Sequence, residues 1–249
     1  MGTSKSYSAS IKGQPQWGNL SGAVTSNCGT GIVSSQNLGN ILSRYVGVIG
    51  GSSRAGRGSS KIGGRAGIRT AKSLGAFLGA FVSSSGNIQT AFTQVGITDI
   101  NGKPLNEVLN NLIELCSGPS STIDDVAAKS ASQKILEELA ANAESIEEFQ
   151  TNLEEVLSRE SLEDIIIRYF SYYIFEHLSV MFYEKLVVDK GKTECDDLFR
   201  QIKNFINEKL QNINRTNPLD GLDWGSADAD RLIKNIQVDV LKIFEGYES

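Results

Sequence analysis

Apolar residues recur at helical spacing through most of this chain. From Arg65, a run places Ile68, Ala71, Leu74, Phe77, Leu78 and Phe81 on one face, which predicts an amphipathic helix that ends at Ser83–Gly86. Similar patterns predict helices near 87–95, 105–116, 123–141, 146–158, 162–189, 194–213 and 227–244. No strand pattern of comparable length appears in the sequence. The sequence therefore predicts an all-α fold with a helical domain of about seven or eight helices.

Four of these helices have a recognisable start. In each, a Ser or Thr precedes the helix and an acidic residue follows three positions later, which is the pattern of a capping box. The four pairs are Thr122 with Asp125, Ser145 with Glu148, Ser161 with Asp164, and Thr193 with Asp196.

The N-terminal part has a different composition. Its first 67 residues hold fifteen Gly and thirteen Ser, which gives high backbone entropy and little apolar surface to offset it. The sequence therefore predicts a flexible arm over residues 1–65 and an acidic α-helical domain over 66–249. Within the arm, Gln36–Ile49 has helical spacing, so a short helix that depends on a partner is an open alternative.

The charge is divided in the same way. Residues 1–98 contain nine Lys or Arg and no Asp or Glu, whereas residues 99–249 contain fifteen basic and twenty-nine acidic residues. Such asymmetry indicates a basic arm that meets an anionic partner, or one that lies against its own acidic domain. Within the arm, Arg54, Arg57, Lys61 and Arg65 are candidate anion-binding residues. The same stretch lacks interleaved aromatic residues for base stacking, so nucleic-acid binding is an alternative rather than the preferred interpretation.

The sequence does not contain a recognisable catalytic pattern. The glycine-rich stretch 50–65 lacks the Lys-Ser/Thr that ends a phosphate-binding loop. His177, the only histidine, lies on the most apolar predicted helix and is expected in a core or interface. Acid pairs such as Asp124 with Asp125 are expected on solvated helix faces. We therefore predict a protein that is not an enzyme, with no catalytic residues, no metal site and no cofactor.

The remaining candidate is the N-terminus itself. Gly2 permits removal of Met1, which leaves an unhindered α-amine with a pKa near ~8. Gly2 with Ser6 also fits a myristoylation pattern, so a lipid anchor is a further alternative. No secretory signal or membrane-spanning run is evident, and three widely spaced cysteines are a poor basis for disulfides. These features predict a cytoplasmic protein without a membrane partner.

The order of these features resembles a known family. The segments are MGTSKSY, RAGIRTAKSLGAFLGAF, NGKPLNEVLNNLIELC, TIDDVAAKSASQKILEEL, YYIFEHLSVMFYEKL and LDWGSADADRLIKNI. Together they resemble the QatB family, the component without enzymatic assignment of the bacterial four-gene Qat anti-phage defence system. The resemblance spans nearly the whole chain and depends on the order and spacing of the segments.

The resemblance implies particular partners. These are a QueC-like enzyme (QatC), a P-loop ATPase (QatA) and a TatD-like nuclease (QatD). QueC-type enzymes use ATP to activate the carboxyl of 7-carboxy-7-deazaguanine, and in defence operons they act on the N-terminal glycine of a partner. The resemblance therefore implies that Gly2 is a modification acceptor. Thr3 and Ser4, which are small enough for a narrow active site, and Lys5 are the expected partner-recognition residues.

Overall fold

The computed structural model describes residues 15–211, 213 and 222–247. These residues form eleven helices and no strand, which confirms the all-α prediction and gives more helices than the seven or eight expected. The helices are α1 Pro15–Asn27, α2 Ser35–Val48, α3 Gly51–Ala55, α4 Arg65–Ser83, α5 Ile88–Gln94, α6 Leu105–Ser117, α7 Ile123–Leu139, α8 Ile146–Arg159, α9 Leu162–Lys190, α10 Lys192–Gln211 and α11 Ala227–Glu245.

Two helices form the centre of the fold. Helix α9, whose 29 residues span about 43 Å, packs against α7, α10 and α4, and α4 in turn contacts α5, α6, α7 and α11. Along α9, Tyr169, Tyr172, Tyr173 and Phe182 are buried in the core. Among the described residues, no helix combines the length and the apolar content that crossing a membrane would require.

Helical packing begins much earlier in the chain than the sequence predicted. Helices α1, α2 and α3 lie inside the predicted arm, and Leu20, Val24, Ile41 and Tyr45 have no exposed surface. The structure therefore moves the start of the helical domain from residue 66 to Pro15, and the helix within Gln36–Ile49 packs on this chain itself. The physical reason is that enough apolar residues recur at helical spacing in this segment to bury a continuous face. Residues 1–14 of the predicted arm lie outside the described residues.

Glycines of the N-terminal half provide contact points for aromatic rings. Gly39 of α2 lies against the ring of Tyr247, and Gly67 of α4 lies against the ring of Tyr173. Gly75 and Gly79, one turn apart on α4, receive the indole ring of Trp224. A Cβ at Gly39, Gly75 or Gly79 would collide with the ring, and one at Gly67 would lie only 3.0 Å from it. Part of the glycine content therefore serves close packing rather than backbone freedom.

The predicted helix starts are mostly as expected. Complete capping boxes open α7 at Thr122 with Asp125 and α9 at Ser161 with Asp164. At α8, Ser145 accepts from the Glu148 N–H at 3.1 Å, but the Glu148 carboxylate accepts from the N–H of Glu144 instead of Ser145.

The fourth predicted start, at Thr193, is wrong. Only Gly191, with a φ of 94°, separates α9 from α10, so α10 begins at Lys192 and Thr193 already lies inside it. The Asp196 carboxylate accepts instead from Lys192 at 2.5 Å and from the Tyr183 hydroxyl.

Candidate partner-binding surface

A short loop between α3 and α4 closes on itself. The N–H of Gly58 donates to the Ala55 carbonyl, and the N–H of Ser59 donates to the Arg54 carbonyl, both at 2.9 Å. At the far end, Gly64 has a φ of 101° and packs so closely on the Ala55 carbonyl oxygen that a Cβ would collide with it. The two ends of the loop, at Ala55 and Gly64, are therefore in contact.

This closure gathers the predicted anion-binding residues. A methyl group added at Gly58 would lie 3.5 Å from the Cα of Arg65, so the Arg57–Gly58 turn passes beside the start of α4. Arg54, Arg57, Lys61 and Arg65 are all exposed, and none of them forms an ion pair with another described residue. We call residues 54–65 the basic loop. Its four cations are the candidate site residues that the structure brings onto one surface.

A buried carboxylate holds the C-terminal end of the basic loop by hydrogen bonds. Asp124, at the start of α7, accepts from the N–H of Gly64 at 3.2 Å and from the N–H of Ala66 at 2.9 Å. The Tyr173 hydroxyl of α9 donates to the same carboxylate at 2.5 Å and accepts from the Gly64 N–H at 2.7 Å. Asp124 thereby caps α4, whose own cap residue, Gly64, has no side chain to do so.

Tyr173 is held in its protonated, donating form. Complete burial raises the pKa of Tyr173 well above its usual value, and the negative charge of Asp124 raises it further. A neutral hydroxyl is therefore retained beside the carboxylate at all physiological pH values. The Tyr173 hydroxyl and two backbone N–H groups therefore supply the hydrogen bonds that the buried Asp124 carboxylate requires.

A second buried pair supports the middle of the loop. The Tyr45 hydroxyl lies 3.0 Å from Nδ1 of His177, and neither residue has exposed surface. The His177 ring packs beneath Gly63, where a Cβ would lie 3.1 Å from its Cε1 atom. Burial lowers the pKa of His177, and the charge of Asp124 and the Ile62 backbone offset this only in part. His177 is therefore neutral, and its predicted core position is confirmed.

The neighbouring acid pair was misinterpreted from the sequence. Asp124 and Asp125 were expected on a solvated face, yet they are only 9% and 8% exposed. Burial by itself raises the pKa of Asp125, but hydrogen bonds from Arg69, Thr122 and Ser121 outweigh it and lower the pKa. Arg69 reaches Asp125 from α4 at 2.9 Å. Both carboxylates thus join α7 to α4.

Four of the predicted site residues are not among those that the structure describes. Gly2, Thr3, Ser4 and Lys5 lie outside the described residues. Asp124, Tyr173 and Tyr45 were missed by sequence reasoning. The only sequence signal that could have suggested them is the pair of glycines at 63–64, which permits a close approach of buried groups. Over residues 15–211, 213 and 222–247, no group of three or more His, Cys, Asp or Glu side chains is arranged to hold a metal ion.

The described residues form an all-α domain with an exposed basic loop. Asp124, Tyr173 and His177 lie buried beneath this loop. The family model of the Qat anti-phage system associated protein QatB matches residues 50–244, so the chain belongs to the QatB family. The match begins at Gly50 and includes the basic loop, Asp124, Tyr173 and His177. No curated protein and no solved structure matches the chain. The chain is therefore an anti-phage defence component.

Replacement of Asp124 tests the buried base. We expect Asp124→Ala to lower the free energy of unfolding by about 2–4 kcal/mol, because it leaves two backbone N–H groups and the Tyr173 hydroxyl without their acceptor. Glu137→Ala, at an exposed acid of the same helix, is the matched control and should change it by less than about 0.5 kcal/mol. Urea unfolding of wild type and of both variants measures these free energies. Equal losses in the two variants would contradict the role given to Asp124.

The pKa of His177 predicts a pH dependence of stability. Its folded-state pKa lies below the unfolded value of 6.5, so the unfolded chain binds the proton first and stability falls as pH falls below 6.5. Above 6.5, His177 is neutral in both states and contributes no slope. We expect wild type to lose up to about 1.4 kcal/mol per pH unit more than His177→Gln in this window. Denaturant titrations between about pH 5 and about pH 8 measure this difference. Parallel curves for the two proteins would contradict it.

Proposed function

We propose that this chain is a non-catalytic partner protein of the Qat system whose N-terminal Gly2, after removal of Met1, is modified with a 7-deazaguanine by a QueC-like enzyme. The α-amine nitrogen of Gly2 attacks the ATP-activated carboxyl carbon of the deazaguanine. An amide bond forms, the activating group leaves, and the amine proton is lost to solvent. Membership of the QatB family supports the defence assignment on which this proposal depends.

The length of chain between Gly2 and the first helix is the observation that supports modification of Gly2. The described helical packing starts at Pro15, so twelve residues, 3–14, lie between Gly2 and the body. Extended chain covers at most about 3.3–3.6 Å per residue, so this segment is long enough to span roughly 40 Å. That length lets Gly2 enter the active site of another protein while the helical body docks outside it. The acid-free composition of this segment suits a site that binds ATP and a carboxylate.

The basic loop is the proposed docking surface for the enzyme. Its four exposed cations have no ion-pair partner among the described residues, so an acidic surface of a partner would pair with them at little cost in broken contacts. The P-loop ATPase and the TatD-like nuclease of the system are the other candidate partners for this surface.

Intact mass measurement tests the modification. We expect the full-length chain, produced together with the QueC-like enzyme, to lose Met1 and to gain the mass of one deazaguanine acyl group on Gly2. The mass increase should disappear in Gly2→Pro, because its secondary ring amine hinders acylation, and it should persist in Gly13→Ala, a control within the same segment. An unmodified terminus in the presence of active enzyme, ATP and the precursor base would overturn the proposal. A fatty-acid mass would indicate the lipid anchor instead.

The basic loop also supports a second candidate function. Four cations on one surface, without neutralising acids in the described residues, are suited to binding the phosphates of nucleic acid. On this alternative, the chain is an adaptor that brings DNA to the nuclease partner.

Salt titration of DNA binding tests this alternative. If it holds, Arg54→Ala, Arg57→Ala and Arg65→Ala combined should weaken duplex binding and reduce the slope of log K against log salt by roughly two to three, because each lost phosphate contact removes about 0.9. Lys185→Ala, Lys190→Ala and Arg231→Ala combined make the same charge change on exposed helix positions elsewhere and serve as the control. Fluorescence anisotropy measures both. Equal slopes for the two triple variants, or no binding by wild type, would remove the adaptor function.

A further inference from the structure

Two of the three cysteines meet in the core. Cys28 follows α1 directly, Cys195 lies in the first turn of α10, and their Sγ atoms are 3.6 Å apart although 167 positions separate them in sequence. Both are free thiols, with exposures of 4% and 0%. The third, Cys116, is a buried free thiol near the end of α6.

The chain after Cys28 is fixed to α10. Gln201 of α10 accepts from the Val33 N–H at 2.8 Å and donates to the Gly31 carbonyl at 2.9 Å. A methyl group at Gly29 would already touch the Glu194 side chain at 3.6 Å. These contacts hold the segment after Cys28 against the first turns of α10. The two sulfur atoms therefore face each other because of the surrounding packing and not by chance orientation.

A surface cavity of about 590 Å³ lies beside this pair. It is lined by chain neighbours of both cysteines, Asn27 and Gly29 on one side and Glu194 and Asp196 on the other, and not by the cysteines themselves. A small oxidant in this cavity therefore needs only a local movement of these neighbours to reach the sulfurs. Bulky reagents are excluded, because the sulfur atoms themselves are buried.

We propose that Cys28 and Cys195 form a reversible disulfide on oxidation, which fastens α1 to α10. With hydrogen peroxide as oxidant, the more exposed Cys28 loses its thiol proton as its sulfur attacks one peroxide oxygen. The O–O bond breaks, Cys28 becomes a sulfenic acid, and the leaving hydroxide takes up that proton as one water. The Cys195 sulfur then attacks the Cys28 sulfur, the S–O bond breaks, and the leaving hydroxide takes the Cys195 thiol proton as a second water. A disulfide bond is about 2.05 Å long, so the two sulfurs approach by about 1.5 Å. Small rotations about the Cα–Cβ bonds supply a movement of this size.

The disulfide changes the attachment of α1. In the reduced protein, α1 is held by non-covalent contacts such as the stacking of Trp17 on Phe182, whose ring centroids are 4.9 Å apart. Because the bond would close a loop of more than 160 residues, it removes much of the entropy of the unfolded chain. The bond also tethers the C-terminal end of α1 to α10. The inference does not depend on the proposed function, although α1 is the helix from which residues 1–14 extend.

Thiol counting on the full-length protein tests the proposal. After treatment with peroxide and then unfolding, wild type should retain one titratable thiol of three, lose the mass of two hydrogen atoms, and yield one peptide pair that joins Cys28 to Cys195. Dithiothreitol should reverse all three changes. Cys116→Ser is the matched control and should form the same bond. At peroxide doses that cross-link wild type, Cys28→Ser should retain both of its thiols. Cys195→Ser should stop at a sulfenic acid on Cys28, with one titratable thiol and no cross-linked peptide.

Stability and exchange provide a second readout. The oxidised wild type should melt at least about 5 °C higher than the reduced protein, and backbone amides of α1 should exchange more slowly after oxidation. Three remaining thiols after peroxide, a bond that involves Cys116 or a second molecule, or separate sulfinic acids at Cys28 and Cys195 would each overturn the proposal. Wild-type peptide mapping decides between these outcomes even if a serine variant fails to fold.

Discussion

The buried carboxylate of Asp124 is the interaction on which the central part of this structure depends. An ionised carboxylate is costly to bury unless donors surround it, and here Tyr173 and two backbone N–H groups of the chain at Gly64 and Ala66 do so. The positive end of the α4 macrodipole adds a favourable charge interaction. One side chain thereby joins α7, α9 and the start of α4. It also fixes the point at which the basic loop must end.

The shape of the basic loop follows from this fixed end. Since Gly64 is held against Asp124 and against the Ala55 carbonyl, the residues between them must turn back within a few positions. Gly63 and Gly64 face His177 and Tyr173, and the cations remain outside. One side of this short segment therefore makes the buried contacts, and the other side carries the cations. The backbone hydrogen bonds at both ends thus fix where the chain that carries these cations leaves and rejoins the helices.

Membership of the QatB family places this arrangement in an anti-phage defence component. The family match covers α3 to α11, and α1 and α2 precede it. These two helices nevertheless belong to the same core, because Tyr45 of α2 reaches His177 of α9 and Cys28 reaches Cys195 of α10. The described body is thus continuous from Pro15. The proposed acceptor Gly2 precedes it by a short length of chain.

The sequence alone determined the helices from α4 onward. Their apolar periodicity and the caps at Thr122 and Ser161 depend on residues a few positions apart, so local spacing was sufficient. At Thr193, the same local pattern failed, because a single glycine between two helices left no room for a cap. Composition also failed over residues 15–64, because a count of Gly and Ser does not distinguish a glycine that loosens the backbone from one that receives a ring.

Only the tertiary structure decided what the buried polar residues do. Asp124 and Asp125 have the sequence pattern of an exposed acid pair, and nothing local indicates that Gly64, Arg69 and Tyr173 will reach them. Cys28 and Cys195 likewise meet only because the folded chain brings the segment after α1 against α10. The free energy of a buried charge or thiol depends on partners that are distant in sequence. Helical periodicity depends on residues within a few turns of each other, whereas these contacts form only after the helices have packed.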